Sequence, residues 1–221
     1  MQIISGPVYA PRVHFVAPPA VHVPAEMKAF LAFFEQTRGD PSFDPVARAG
    51  IAHLYFVSIH PFEDGNGRVG RAIAECALSQ TLGHASLTGL SSVIAQRRSD
   101  YYDALERASR DNEVTEWLRY FSDVVLAGQA RSLRFVRFLV EKTRFLDRLR
   151  SALNPRQEKA LLRILREGPD GFQGGLSAGN YMTITGAPPA TARRDLGALV
   201  ELGALRRTGE KRGTRYWLTL E

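Results

Sequence analysis

His60-Pro61-Phe62-Glu63-Asp64-Gly65-Asn66-Gly67-Arg68-Val69-Gly70-Arg71 stands between two helical patterns, and its reading decides what kind of protein this is. Upstream, Asp44 followed by Pro45 predicts a helix start, a cap and then N1. The run Val46 to Ile59 is apolar almost all round, as in the central helix of a helical domain. It stops at His60, because proline disfavours helix in the residue before it. Helical periodicity resumes at Arg68 and continues to Gly83. The junction therefore feeds a helix N-terminus, where unpaired N–H groups and the dipole favour an anion. Gly65 and Gly67 allow close backbone approach to a ligand. Arg68 and Arg71 share a helical face and carry planar, permanently charged forks suited to phosphate oxygens. Asp64 is a hard oxygen donor of the kind Mg²⁺ takes together with substrate phosphates. His60 has the side chain whose pKa suits a general base near neutral pH. Together these groups suit phosphoryl or nucleotidyl transfer.

Other sites built on loops fit less well. A calcium loop starting at Asp64 would place Arg68 fifth and Val69 where glycine is required. No G-x-x-x-x-G-K-[ST] phosphate loop occurs. His14, His22, His53 and His84 stand alone, and His53, inside an apolar helix, reads as a core residue rather than a ligand.

The 221 residues have ordinary globular composition, 44% hydrophobic and 24% charged, which excludes a disordered or fibrous chain. A single cysteine, Cys76, excludes an internal disulfide framework and suits a reducing compartment. No apolar run is long enough to span a bilayer and no secretory signal opens the chain, so a cytoplasmic protein without membrane association is expected. The net charge of +6 is uneven: 18 basic and 16 acidic side chains in 1–150, 11 and 7 in 151–221.

Around the central motif the pattern is mainly α. Five prolines punctuate the first 25 residues, and the alternation Val13-His14-Phe15-Val16, then Val21-His22-Val23, predicts a hairpin at about 8–24. Helices are expected from Ala25 to Gly39, at 91–109, 114–127 and 129–150, the last with apolar positions Leu133, Val136, Val140 and Leu146 against a basic face of Arg131, Arg134, Arg137, Arg144 and Arg148. Asn154-Pro155-Arg156-Gln157 reads as a capping box and marks a domain boundary, giving domains 1–150 and 151–221. The second domain reads as helices 155–167, 177–185 and 189–202, then strands 204–208 and 214–220 around a basic turn. That order is the winged-helix variant of helix-turn-helix.

The twelve-residue motif resembles the Fic signature, H-x-F-x-[DE]-G-N-G-R-x-x-R, at every specified position. The preceding helix, the upstream hairpin, Tyr101-Tyr102-Asp103-Ala104-Leu105-Glu106 and Thr115-Glu116-Trp117-Leu118 are similar to the Fic core, and a C-terminal winged helix often accompanies it. The resemblance implies a Fic helical core with a short β-hairpin flap, and a protein adenylyltransferase moving AMP from ATP to a Tyr, Ser or Thr hydroxyl with release of pyrophosphate. On that reading His60 is the catalytic base and Asp64 holds Mg²⁺. Gly65, Asn66 and Gly67 cradle the phosphates, Arg68 and Arg71 neutralise them, and Phe62 anchors the loop in the core. Tyr101 and Tyr102 line the nucleoside pocket, although Ser109 stands where relatives often have Asn. The flap, Val13, His14, Phe15 and Val16, binds an extended segment of the target protein presenting the hydroxyl, the chain itself included. Gly67 stands where phosphorylating members tend to have lysine and so favours AMP transfer.

Many Fic proteins carry an inhibitory helix, [ST]-x-x-x-E-[GN], and no match to it occurs in this sequence. The expectation is a chain without its own inhibitory segment, constitutively active or restrained by another polypeptide. Two alternatives stay open. One is a Fic variant transferring another phosphate-containing group. The other is a winged-helix regulator, with Arg193, Arg194 and Arg212 as candidate DNA contacts beside Arg206, Arg207, Lys211 and Arg215. An apolar helical surface suits a homodimer.

Overall fold

A computed structural model describes residues 2–5, 7, 9, 12–111 and 113–220, and the chain is mainly helical. Two compact units divide after Ser132. In the first, strands β1 (Gln2–Ser5) and β2 (Arg12–Val16) form an antiparallel pair. The helices are α1 (Val23–Gln36), α2 (Pro45–Ile59), α3 (Asn66–Leu82), α4 (Leu90–Gln96), α5 (Arg98–Asp111) and α6 (Thr115–Leu149), within which the division falls. The second unit continues with α7 (Pro155–Leu165), α8 (Ala178–Thr185), α9 (Pro189–Glu201) and the antiparallel strands β3 (Leu205–Thr208) and β4 (Arg215–Leu218).

Helix α2 is the axis of the first unit. The Asp44 carboxylate caps it, accepting from the Val46 and Ala47 N–H groups at 2.9 Å each, with Pro45 at N1. Ala49, Ala52, His53, Leu54, Phe56, Val57 and Ile59 are all buried, in one cluster with Phe30, Leu78, Trp117 and Phe121. Arg48 is also buried. Its guanidinium donates to Thr37 Oγ1, Phe34 O, Ala77 O and Gln80 Oε1 at 2.8–3.1 Å, which satisfies the charge with dipoles and ties α1, α2 and α3 together.

Three expectations change. The hairpin is Gln2–Ser5 with Arg12–Val16, not 8–24. Residues 20–22 form a 3₁₀ turn and Val23 opens α1, with Pro24 in the first turn, where its missing N–H is harmless. Val21 is 78% exposed, so its alternation with Val23 marked no buried strand face. The single helix expected at 91–109 is two, α4 and α5, broken at Arg97. Conversely, α6 is one helix where two were expected. Gly128, the residue between the two expected helices, sits inside it at a close approach: a Cβ there would lie 1.6 Å from the Thr88 carbonyl oxygen.

The second core draws Phe138, Phe145 and Leu149 from the C-terminal part of α6, packed with residues such as Leu161, Tyr181, Leu196 and Leu205. Leu133, Val136 and Val140, the apolar positions of the expected 129–150 helix, are 58%, 46% and 45% exposed. Asn154 and Gln157 form the expected capping box on α7. The buried Asp195 of α9 binds that corner, accepting from Arg156 Nε at 2.9 Å, Tyr181 OH at 3.0 Å and Asn154 Nδ2 at 3.2 Å. Burial alone would raise its pKa, but these hydrogen bonds and the Arg156 charge hold it below the usual carboxylate value. Among the described residues no helix is long and apolar enough to cross a membrane.

Candidate active site

The motif folds at one end of the α2–α3 pair. Gly70, one turn into α3, packs so tightly on α2 that a Cβ would lie 2.8 Å from Val57 Cγ1 and 3.2 Å from the His53 ring. This contact brings the C-terminus of α2 beside the N-terminus of α3. His60 terminates α2 in the left-handed region (φ 51°), uncommon for a non-glycine residue and often found at functional sites. Its Nδ1 lies 3.3 Å from the Val57 carbonyl, which can only accept, so Nδ1 carries the proton and Nε2 is left with a lone pair. Burial lowers the His60 pKa, partly offset by the Val57 hydrogen bond, and this favours the neutral form a base requires.

The loop is closed by Asn66. Its Oδ1 accepts the Phe62 N–H at 3.0 Å and its Nδ2 donates to the Phe62 carbonyl at 2.7 Å. The Asn66 side chain is buried, and these two bonds hold the bend in shape. Phe62, expected to anchor the loop in the core, is 48% exposed, although its ring approaches Phe56 at 6.2 Å. The backbone, through Asn66, provides the anchor. Glu63 is exposed.

The two glycines lie beneath the two arginines. A Cβ on Gly65 would meet Arg68 Nη2 at 3.4 Å, and one on Gly67 would meet Arg71 Nη1 at 3.3 Å. Gly65, with φ 88°, is also the N-cap of α3. The Asp64 carboxylate takes two of the donors gathered here: Oδ1 accepts from the Gly65 N–H at 2.6 Å and Oδ2 from Arg68 Nη2 at 3.0 Å. A phosphate would seek the same pair of donors. Arg71 Nε donates to Ser91 Oγ at 3.0 Å, at the start of α4. Ser91 had no signal in the sequence, being one of two adjacent serines twenty residues beyond Arg71.

As a metal ligand, Asp64 supplies one exposed carboxylate, and among the described residues no group of three or more His, Cys, Asp or Glu could hold an ion alone. That donor set fits Mg²⁺ shared with substrate phosphates, not a resident metal centre.

Tyr101 is withdrawn into the core, 5% exposed, its hydroxyl 3.1 Å from His53 Nε2, and burial raises its pKa. Tyr102 is partly buried, edge-on to Tyr101 with Arg98 over its ring at 5.6 Å. His53 stacks on Trp117 at 5.6 Å, and burial lowers its pKa to about 4, as befits a core imidazole. The Arg71 charge bears on both Tyr101 and His53. Of the flap, Val16 is 62% exposed, while the side chains of Val13, His14 and Phe15 lie outside the described residues. The register pairs Ile3 with Phe15 and Ile4 with Val13, leaving a bulge at His14.

With this geometry in place, comparison with known proteins is direct. Residues 5–78 match the Fic/DOC family. The matched stretch holds the whole motif from His60 to Arg71. Over 83 residues the chain is 36% identical to a protein adenylyltransferase Fic of Aedes aegypti, covering 37% of this chain and 15% of that protein. Over 94 residues it is 34% identical to a probable protein adenylyltransferase of Aquifex aeolicus, covering 42% and 26%. The chain thus matches about a quarter or less of the length of these relatives. A crystal structure of a Fic family protein from Desulfovibrio desulfuricans covers 96% of this chain and 58% of its own, at 24% identity and a TM-score of 0.49.

Proposed function

We propose that the chain is a nucleotidyltransferase that moves AMP from ATP to a hydroxyl of a protein. The observation that carries this reading is the pairing of each cradle glycine with an arginine fork, Gly65 under Arg68 and Gly67 under Arg71, beside a histidine whose Nε2 has no hydrogen-bond partner among the described residues. Charge placement of this kind stabilises a phosphoryl centre without covalent participation by the protein. The relatives named adenylyltransferases support the same class of reaction.

In this scheme the α3 N-terminus and the two arginines bind the triphosphate. His60 Nε2 accepts the proton of the incoming hydroxyl as its oxygen forms a bond to the α-phosphorus. The bond to the β-phosphate bridge breaks, and pyrophosphate leaves with that electron pair. The Nδ1–H bond to Val57 orients the imidazole and stabilises the imidazolium that results. Asp64 would hold Mg²⁺ together with phosphate oxygens, and the ion supplies charge neutralisation there. Strand β2 pairs only with β1 among the described residues, so its other edge suits an extended segment of the target.

The test uses ATP labelled on either the α- or the γ-phosphate, incubated with the chain, Mg²⁺ and candidate proteins. The proposal expects covalent transfer of the α-label alone. Transfer of the γ-label would replace this reading with a kinase-like reaction.

A further inference from the structure

We propose that the cleft between α9 and the β3–β4 turn is a docking site for the phosphate backbone of duplex DNA, independent of the nucleotide site. The cleft has a volume of about 1010 Å³ and is lined by Arg193, Arg207, Lys211, Arg212 and Arg215, against one carboxylate, Glu201. Among the described residues Arg193, Arg207, Lys211 and Arg212 make no ion pair, so their charge is available to a ligand.

Secondary structure selects these cations from a larger set. Along α9, Arg193, Gly197, Val200 and Glu201 fall on one face and line the cleft; Arg194, one residue on, does not. Along β3, Arg207 lines it and Arg206, on the opposite face of the strand, does not. Five cations on α9, β3, the turn and β4 therefore converge where random surface charge would spread over both faces.

The turn holding two of them is pre-shaped. Lys211 has φ 49°, and a Cβ on Gly209 would lie 2.4 Å from the Gly213 carbonyl. Arg215 Nη1 donates to the carbonyls of Arg212 and Thr214 at 3.1 and 2.9 Å, bracing the turn. A fixed turn limits the ordering cost of binding.

The chemistry favours a polyphosphate. Four of the five cations are arginines, whose forks match phosphate oxygens. Tyr216 is the aromatic in the lining and it packs against the core, so the cleft offers no stacking platform of the kind that holds single strands.

The test is fluorescence anisotropy of the full chain with a labelled random-sequence duplex across about 50–200 mM salt. The expected log–log salt slope is about −4, near −0.9 for each phosphate contacted. The double variant Arg193→Ala/Arg207→Ala should lose about two units of slope, and each contact removed should cost about tenfold in affinity at 0.1 M salt. Arg166→Ala/Arg194→Ala removes the same charge outside the cleft and should change the slope less. His60→Ala should bind as the parent does, which separates this proposal from the enzymatic one. Circular dichroism checks that each variant is folded. Undetectable binding, equal losses in the two double variants, equal affinity for single strands, or displacement by polyglutamate at equal charge concentration would each overturn the proposal. The last outcome would point to an acidic protein partner.

Discussion

The Asn66 side chain and the Phe62 backbone exchange two hydrogen bonds, at 3.0 and 2.7 Å, and so close the bend between α2 and α3 into a fixed shape. Asn66 is buried, so each bond lost leaves a backbone group to find another partner. Asn66→Ala is expected to destabilise the first unit by about 1–3 kcal/mol and to lower transfer by more than tenfold. Asn66→Asp keeps the acceptor and loses the donor, and should fall between the two. Urea unfolding and initial rates on the same samples measure both effects.

Ser91 steers Arg71. The Nε–H···Oγ bond of 3.0 Å leaves both terminal nitrogens of the guanidinium for a phosphate. Ser91→Ala should reduce kcat/KM by about three- to tenfold with little change in unfolding midpoint, since the bond is exposed. Ser91→Thr keeps the hydroxyl and should restore most of the loss. An equal loss in Thr and Ala would show that the hydroxyl does not position Arg71.

Asp64 sits on donors that a phosphate needs, the Gly65 N–H and Arg68 Nη2. In Asp64→Ala these donors are released and a repelling charge is removed. ATP is therefore expected to bind more tightly than to the parent when Mg²⁺ is withheld, while transfer in its presence falls sharply. Calorimetric titration with and without Mg²⁺ distinguishes the two. Weaker binding in both conditions would show that the carboxylate does not compete with the nucleotide.

His53 links stability to pH. Its folded pKa is lowered to about 4 by burial, with the Arg71 charge adding to the effect and the Gly70 backbone opposing it. Between that value and the ordinary 6.5 of the unfolded chain, the unfolded state binds the extra proton. Stability is thus fully present above about pH 6.5 and falls on acidification, by at most about 1.4 kcal/mol per pH unit from this group. His53→Gln, which can still bond Tyr101, should remove that part of the slope. Thermal melts from pH 7 to 4.5 provide the comparison.

Much of this was legible in the residues because it rests on local rules. Asp44-Pro45 starts α2, Pro61 stops it, and Asn154 with Gln157 caps α7, each as read. The cradle was legible because its parts lie within twelve residues. What could not be read depends on contacts distant in sequence. Gly128 falls between the two expected helices and is instead the point where α6 meets the Thr88 carbonyl, so α6 runs on unbroken. Val21 and Val23 alternate like a strand, but Pro24 suits a first helical turn and α1 claims Val23. Ser91 enters the site only because the fold brings α4 to Arg71.

The central claim is that His60 acts as the base at a site that binds ATP without it. Calorimetry of ATP·Mg²⁺ with His60→Ala, joined to a single-turnover assay of α-phosphate transfer, tests this directly. The account predicts affinity within a fewfold of the parent and transfer reduced by at least about a hundredfold. Transfer that persists in His60→Ala, or an absence of ATP binding in the parent chain, would contradict it.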